Sequence, residues 1–168
     1  MRQLVLRSIL MLWAGMVSIA QLTLAQSPED VAELKAAREL FREGRLDDSL
    51  KALEELTAKR PDYVDALSWK GFVLLRKNDP VKAIPPLETA RRLQPANVEV
   101  LNNLGNAYLA AERYQDSIRV FAALLELNPK QGEAHYNTGL ANLKLKRYPE
   151  AIQAFKAALE VTPDDPYT

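Results

Sequence analysis

Proline stands at Pro61, Pro95, Pro129 and Pro163, four times at one interval of 34 residues. A period of that length is the length of one helix-turn-helix unit stacked on copies of itself, and no single helix or strand would generate it. The stretch RYQDSIRVFAALLELNP, Arg113 to Pro129, aligns with RYPEAIQAFKAALEVTP, Arg147 to Pro163, at Arg, Tyr, Ile, Phe, Ala, Leu, Glu and Pro in register. One supersecondary unit has been repeated, so the expected fold class is all-α.

Counting each unit so that its proline is the thirty-second slot gives four units, 30–63, 64–97, 98–131 and 132–165. The eighth slot is small every time, Ala37, Gly71, Gly105 and Gly139, and so is the twentieth, Ser49, Ala83, Ser117 and Ala151. The twenty-fourth is large and apolar, Leu53, Leu87, Phe121 and Phe155. Small residues let two backbones approach, and bulk beside them fills the crossing to interior density. Each unit therefore reads as an antiparallel helix pair.

Local chemistry supports that map. Ser27-Pro28-Glu29-Asp30 offers a hydroxyl cap, a proline at the first helical position and acids in the first turn, and Gly44 ends the helix so begun. Asp79-Pro80 repeats the cap-plus-proline device in unit two, and Asn97 caps the first helix of unit three. Pro85 and Pro86 break the pattern, because each removes a backbone donor and crowds the carbonyl four residues back. A kink, or a helix start delayed to this pair, is expected there.

With VLNNLGNAYL, Val100 to Leu109, and AHYNTGLANL, Ala134 to Leu143, each followed by a second-helix motif that opens on Tyr114 or Tyr148, the chain resembles the tetratricopeptide repeat family over about residues 30–163. Unit one is more diverged but keeps Ala37, Leu40, Gly44, Ser49, Leu53, Leu56 and Pro61 in the matching slots. The resemblance implies a right-handed α-solenoid of four tandem units and eight helices, non-catalytic, that receives a protein or peptide on its inner surface.

Residues 1–25 read as an export signal: Arg2 and Arg7 precede an apolar run from Ile9 to Ala20, with no acid before Glu29. Cleavage is expected after Ala25, with Thr23 two places earlier, or after Ala20, with Ser18 two places earlier, and residues 26–29 form a short lead-in to the repeats. The product is expected to be exported, periplasmic or secreted, with no membrane anchor once the signal is removed. Cysteine is absent, so neither a lipid-carrying thiol nor a disulfide is available. Losing the two leader arginines leaves 20 basic residues against 22 acidic ones, a net charge of −2, which disfavours nucleic acid as a partner.

Catalysis finds little material in one histidine and no cysteine. His135 occupies the fourth slot of unit four, where Glu33, Leu67 and Leu101 stand in the others, so packing or partial exposure is expected rather than a ligand role; no metal-ligand spacing and no cofactor motif is present. The chain is not expected to be an enzyme.

At 100 degrees per residue, slots four, eight and eleven of each first helix share one face, and slots two, five, six, nine and thirteen cluster opposite, on what becomes the inner surface. The candidate peptide-binding residues come from this stripe. Unit one supplies Lys35 and Arg38, and unit two supplies Trp69, Phe72 and Arg76. Asn103 and Asn106 come from unit three, and Tyr136, Asn137 and Lys144 from unit four. Asn103 and Asn137, one period apart, can both donate to and accept from an extended backbone, or can instead bridge neighbouring helices, as asparagine at that slot suggests in the family. Trp69, Phe72 and Tyr136 would anchor apolar groups, and a Trp69 left exposed on the stripe makes Trp69→Ala with Asn137→Ala a variant expected to lose capture but keep its melting temperature. Slot two holds Asp65, Glu99 and Glu133, which repel a carboxylate and so disfavour the clamp that some family members use for chaperone tails.

The last helix, with Phe155, Ala158 and Leu159, precedes Pro163 to Thr168 without a following unit in this sequence. Solenoids usually finish on a polar cap. An uncovered end of this kind suggests, as an alternative, self-association into a homo-oligomer or docking within an envelope assembly, and more remotely an accessory role beside an enzyme.

Overall fold

The computed structural model describes residues 27–161; the expected export signal, Pro163 and the tail lie outside the described residues. Those residues form eight helices and, among them, no strand. They are α1 (Pro28–Arg42), α2 (Leu46–Lys59), α3 (Val64–Arg76), α4 (Pro80–Leu93), α5 (Val98–Ala110), α6 (Tyr114–Leu127), α7 (Gly132–Lys144) and α8 (Tyr148–Val161). Each odd helix packs on the even helix that follows it, and each even helix on the next odd one. Odd helices also touch one another, α1 with α3, α3 with α5 and α5 with α7, whereas no two even helices are in contact. An array whose first helices touch and whose second helices splay is curved, with α1, α3, α5 and α7 along its inner side.

The helix starts follow the sequence. Ser27 Oγ accepts from the Asp30 backbone N–H at 3.0 Å, and Asp30 Oδ2 accepts from the Ser27 N–H at 3.0 Å, a reciprocal cap. Asp79 caps α4 through the Lys82 N–H at 3.3 Å, and Asn97 caps α5 through the Val100 N–H at 3.1 Å. The start of α4 is not delayed: it begins at Pro80 and continues through Pro85 and Pro86 to Leu93. Asp79 and Pro80 settle the first turn ahead of the pair. The carbonyls deprived of donors belong to Val81 and Lys82, both solvent-exposed residues, a setting in which water can take the place of the lost bonds.

The crossing inside each pair is closer than two small residues meeting. A methyl group at Gly71 would sit 2.4 Å from Leu87 Cγ, at Gly105 2.6 Å from the Phe121 ring, and at Gly139 2.6 Å from the Phe155 ring. The large twenty-fourth-slot side chain thus lies directly on the bare backbone of the eighth. Beside it, Ser49 Oγ donates to the Ala37 carbonyl at 2.8 Å and Ser117 Oγ to the Gly105 carbonyl at 2.9 Å, so a buried hydroxyl at the twentieth slot is satisfied on the facing backbone.

The turn between paired helices is the same four times. Gly44, Asn78, Glu112 and Lys146, one period apart, have φ of 78°, 59°, 60° and 59°. Bonds from Arg45 N to Leu40 O at 2.9 Å, Asp79 N to Leu74 O at 2.9 Å, Arg113 N to Tyr108 O at 2.8 Å and Arg147 N to Asn142 O at 2.9 Å close the four helix ends. Only the first of these left-handed positions carries glycine.

Two predictions follow from this packing. Unit one already pairs an alanine, Ala37, with a leucine, Leu53. Gly105→Ala is therefore expected to destabilise the chain by roughly 1–3 kcal/mol in urea unfolding, and adding Phe121→Leu to recover part of that loss rather than add to it. Glu112→Gly and Lys146→Gly, which relieve a left-handed side-chain clash at some cost in chain entropy, are each expected to raise stability by roughly 0.5–1 kcal/mol.

Candidate functional site on the inner surface

The inner surface divides into an aromatic, basic end and an amide-rich end. At the first, α1 meets α3 through three rings: Phe41 and Trp69 with centroids 5.8 Å apart, Phe41 and Phe72 at 5.2 Å, and Trp69 and Phe72 at 5.4 Å. The Arg38 guanidinium carbon lies 4.4 Å from the centre of the Trp69 ring. Trp69 is half-buried and packs against the core around Leu34, Ala37, Leu53 and Tyr63. The expectation of a freely exposed tryptophan needs correcting. Phe41, at slot twelve and so off the predicted stripe, covers one edge of the ring, because adjacent first helices cross with an offset that a single-helix wheel does not contain.

Between Val31, Lys35, Arg38, Arg42, Tyr63 and Asp65 this end opens into a cleft of about 360 Å³. Arg42 is held by Glu39 at 2.5 Å, while Lys35 is exposed. Burial, the largest cause, pushes the Tyr63 phenol above its usual value; the Asp65 and Asp30 charges push the same way, against Arg38 and Arg60. Arg76 is exposed at the far end of α3.

At the amide-rich end the polar side chains are largely spent on one another. Asn103, 8% exposed, donates to Ser68 Oγ at 3.2 Å, and Ser68 Oγ reaches Glu99 Oε1 at 3.5 Å. One period later Asn137 donates to Asn106 Oδ1 at 2.8 Å, and Asn106 donates to Glu133 Oε1 at 3.3 Å. A glutamate and an asparagine one turn apart on one helix together hold a polar side chain of the preceding odd helix. Asn103 and Asn137 thus use their donors as bridges between units, and Glu99 and Glu133 at slot two serve the same bridges. Tyr136 is half-buried with its ring 5.5 Å from Phe155, and Lys144 is exposed.

Helix register places Asn102 on the same stripe as Asn103, although it is not among the candidate binding residues. Its Oδ1, like Arg38 Nε, is enclosed and has no hydrogen-bond partner among the described residues. The stripe pattern located both residues; only packing distinguishes the bonded polar atoms from the unbonded ones. His135 is half-buried, its Nε2–H donating to the Pro129 carbonyl at 2.9 Å, a packing position.

A second cleft, of about 510 Å³, lies on the other side of the array between α4 and Tyr108, lined by Pro85, Glu88, Thr89, Arg91 and Arg92. The Tyr108 hydroxyl donates to Glu88, and Arg113 lies 4.5 Å from the Tyr108 ring centre. Burial first, and then the Glu88 carboxylate, push the Tyr108 phenol up to about 12. That bond joins α4 to α5 along the cleft.

Because Trp69 packs on Phe41, Phe72 and Arg38, Trp69→Ala is expected to cost roughly 2–4 kcal/mol in thermal or urea unfolding, with Asn137→Ala adding a smaller loss through its bridge to Asn106. The paired variant would then melt early, and loss of capture in it would report a damaged inner surface as much as a missing contact.

Comparison with known proteins agrees with this architecture. Among solved structures, the chain is similar to MamA MSR-1, at 24% identity over 89% of each chain with a TM-score of 0.75. It is also similar to MamA from Desulfovibrio magneticus RS-1, at 22% identity over 82% of this chain and 77% of that one, with a TM-score of 0.75. YrrB, described as a TPR protein with an unusual peptide-binding site, matches at 20% identity over 82% of this chain and 71% of that one, with a TM-score of 0.77. No curated protein matches in sequence. The tetratricopeptide repeat family profile matches residues 34–98 and again 102–166. With two matches spanning most of the chain, and paired helices repeating at the prolyl interval, the chain belongs to the tetratricopeptide repeat family.

Proposed function

We propose that the chain is a non-catalytic interaction scaffold of the cell envelope that holds an extended polypeptide on its inner surface. Tetratricopeptide repeat proteins are in general interaction modules. The observation that carries the reading is the position of the two unbonded buried polar atoms, Arg38 Nε and Asn102 Oδ1: both lie on the inner stripe, the first on α1 and the second on α5. Buried polar groups in folded proteins are bonded as a rule, so an enclosed donor and an enclosed acceptor without partners favour a small shift of the inner layer in the presence of a ligand that supplies the complements. An extended backbone does so, and YrrB, similar in fold, is described as having a peptide-binding site. The envelope setting rests on the signal-like composition of residues 1–25.

One further observation favours a second reading, docking through α8. Ile152 is 55% exposed where its counterpart Ile84 is 6% exposed, and Tyr148 and Leu159 are exposed beside it. A self-associating or assembly-docked subunit would cover them.

Photo-crosslinking amino acids placed singly at Ala110, Ala122 and Ile152 discriminate these readings, since all three residues are exposed and lie on α5, α6 and α8. Adducts to a partner polypeptide from Ala110, on the inner stripe, with none from Ala122, are the expected result. Adducts confined to Ile152 that contain two copies of the chain would replace the groove reading with self-association, and adducts from Ala122 alone would rule out both.

A further inference from the structure

The basic end of the inner surface has a more specific chemistry than polypeptide binding in general. None of the ion pairs among the described residues involves Arg38, whereas Arg42, Arg45, Arg60, Arg113 and Arg119 each hold a carboxylate. Its guanidinium is nevertheless fixed in place, 4.4 Å from the centre of a Trp69 ring that is itself pinned edge-on by Phe41 and Phe72. A flexible cation held over an aromatic ring has already lost much of the freedom that binding would cost it. Stacking occupies the face of the guanidinium, and Nε is enclosed against the fold, so the edge left for a partner in the plane is that of the two terminal Nη groups, on a side chain that lines the 360 Å³ cleft.

We propose that Arg38 is the anchor for a side-chain carboxylate of an acidic, extended polypeptide segment seated in the cleft between α1 and α3. The proposal rests on the reading of the inner surface as a polypeptide-binding surface and names the class of segment it takes. A carboxylate matches the planar fork of a guanidinium, two oxygens to two N–H groups. Charge complementarity sets the valence. The cleft is lined by three cations, Lys35, Arg38 and Arg42, and by two acids, Glu39 and Asp65, an excess of one positive charge. A single carboxylate neutralises that excess. A doubly charged phosphate would overshoot it and face both acids. Glu39 is already committed to Arg42, and Lys35 is free to turn toward the bound anion. Farther along, Glu99 accepts from the Ser68 hydroxyl, Glu133 accepts from the Asn106 amide, and no cation stands beside them among the described residues, so the segment is acidic at the unit-one end and uncharged beyond it.

The test uses fluorescence anisotropy with protein made from the whole 168-residue sequence. The probe is a fluorescent peptide of about ten residues alternating Glu and Ala, blocked at its C-terminus as an amide. Binding that weakens at least about tenfold with Arg38→Gln, and less with Arg38→Lys, is the expected result, together with weak binding of the Gln-Ala counterpart to the unaltered chain. A melting temperature for each variant keeps folding separate from recognition. No binding of the blocked acidic probe, equal binding of the Gln-Ala probe, or full binding by Arg38→Gln each overturns the carboxylate anchor. Preference for a phosphoserine version of the probe overturns it in favour of phosphate, and a requirement for an unblocked end in favour of a terminal carboxylate. If the anchor fails while crosslinks still form at Ala110, the inner-surface reading stands without it; if those crosslinks are absent as well, both fall.

Discussion

The structure depends on a bulky side chain lying on bare backbone. Leu87 over Gly71, Phe121 over Gly105 and Phe155 over Gly139 set the distance between the two helices of a unit, because at each place even a methyl group would lie within 3 Å of the ring or branch opposite. That contact is short, apolar and repeated in the second, third and fourth units. It fixes the pair as a rigid element, and everything at longer range is the stacking of such elements. The buried hydroxyls of Ser49 and Ser117, each bonded to the carbonyl of the facing slot, add direction to the same crossing without leaving a polar group unsatisfied.

Curvature follows from what lies between units. First helices touch their counterparts and second helices do not, so the inner side is a continuous layer of α1, α3, α5 and α7. The contacts in that layer are of two kinds. Between units one and two they are aromatic, through Phe41, Trp69 and Phe72; between later units they are amides and carboxylates, through Asn103 with Ser68 and Asn137 with Asn106. The side chains that face the groove are therefore also those that join the units. Binding and curvature are mechanically linked in such an array, since a ligand competing for an asparagine competes with the stacking itself.

Much of this was legible in the chain. The prolyl interval, the small and large slots and the capping residues at Ser27, Asp79 and Asn97 place eight helices and their pairing, because each is a local or single-period requirement that residue type alone can meet. The left-handed turns at Glu112 and Lys146 were not legible: neither residue type signals that geometry, and closing of the helix end against Tyr108 and Asn142 imposes it. Helix register also placed the candidate groove residues on the odd helices, but it says nothing of how one unit is rotated on the next. For that reason Phe41 went unrecognised as the cover of Trp69, and spent asparagines were indistinguishable from open ones.

That distinction between spent and open groups carries the functional argument further than composition can. Asparagine and arginine on a helix face are common, and most here are accounted for by a neighbour: Asn106 and Asn137 by each other, Arg42 by Glu39, Arg60 by Asp30 and Asp62. A polar group satisfied within the fold has little left to offer a ligand, because taking it would break one bond to make another. Arg38 and Asn102 stand apart, each with an enclosed atom and no partner. Leaving such atoms without partners costs stability in the free chain, and a partner that satisfied them would recover that cost on binding. The proposed groove thus rests less on the residues that line the inner side than on the two whose hydrogen bonds the fold leaves unmade.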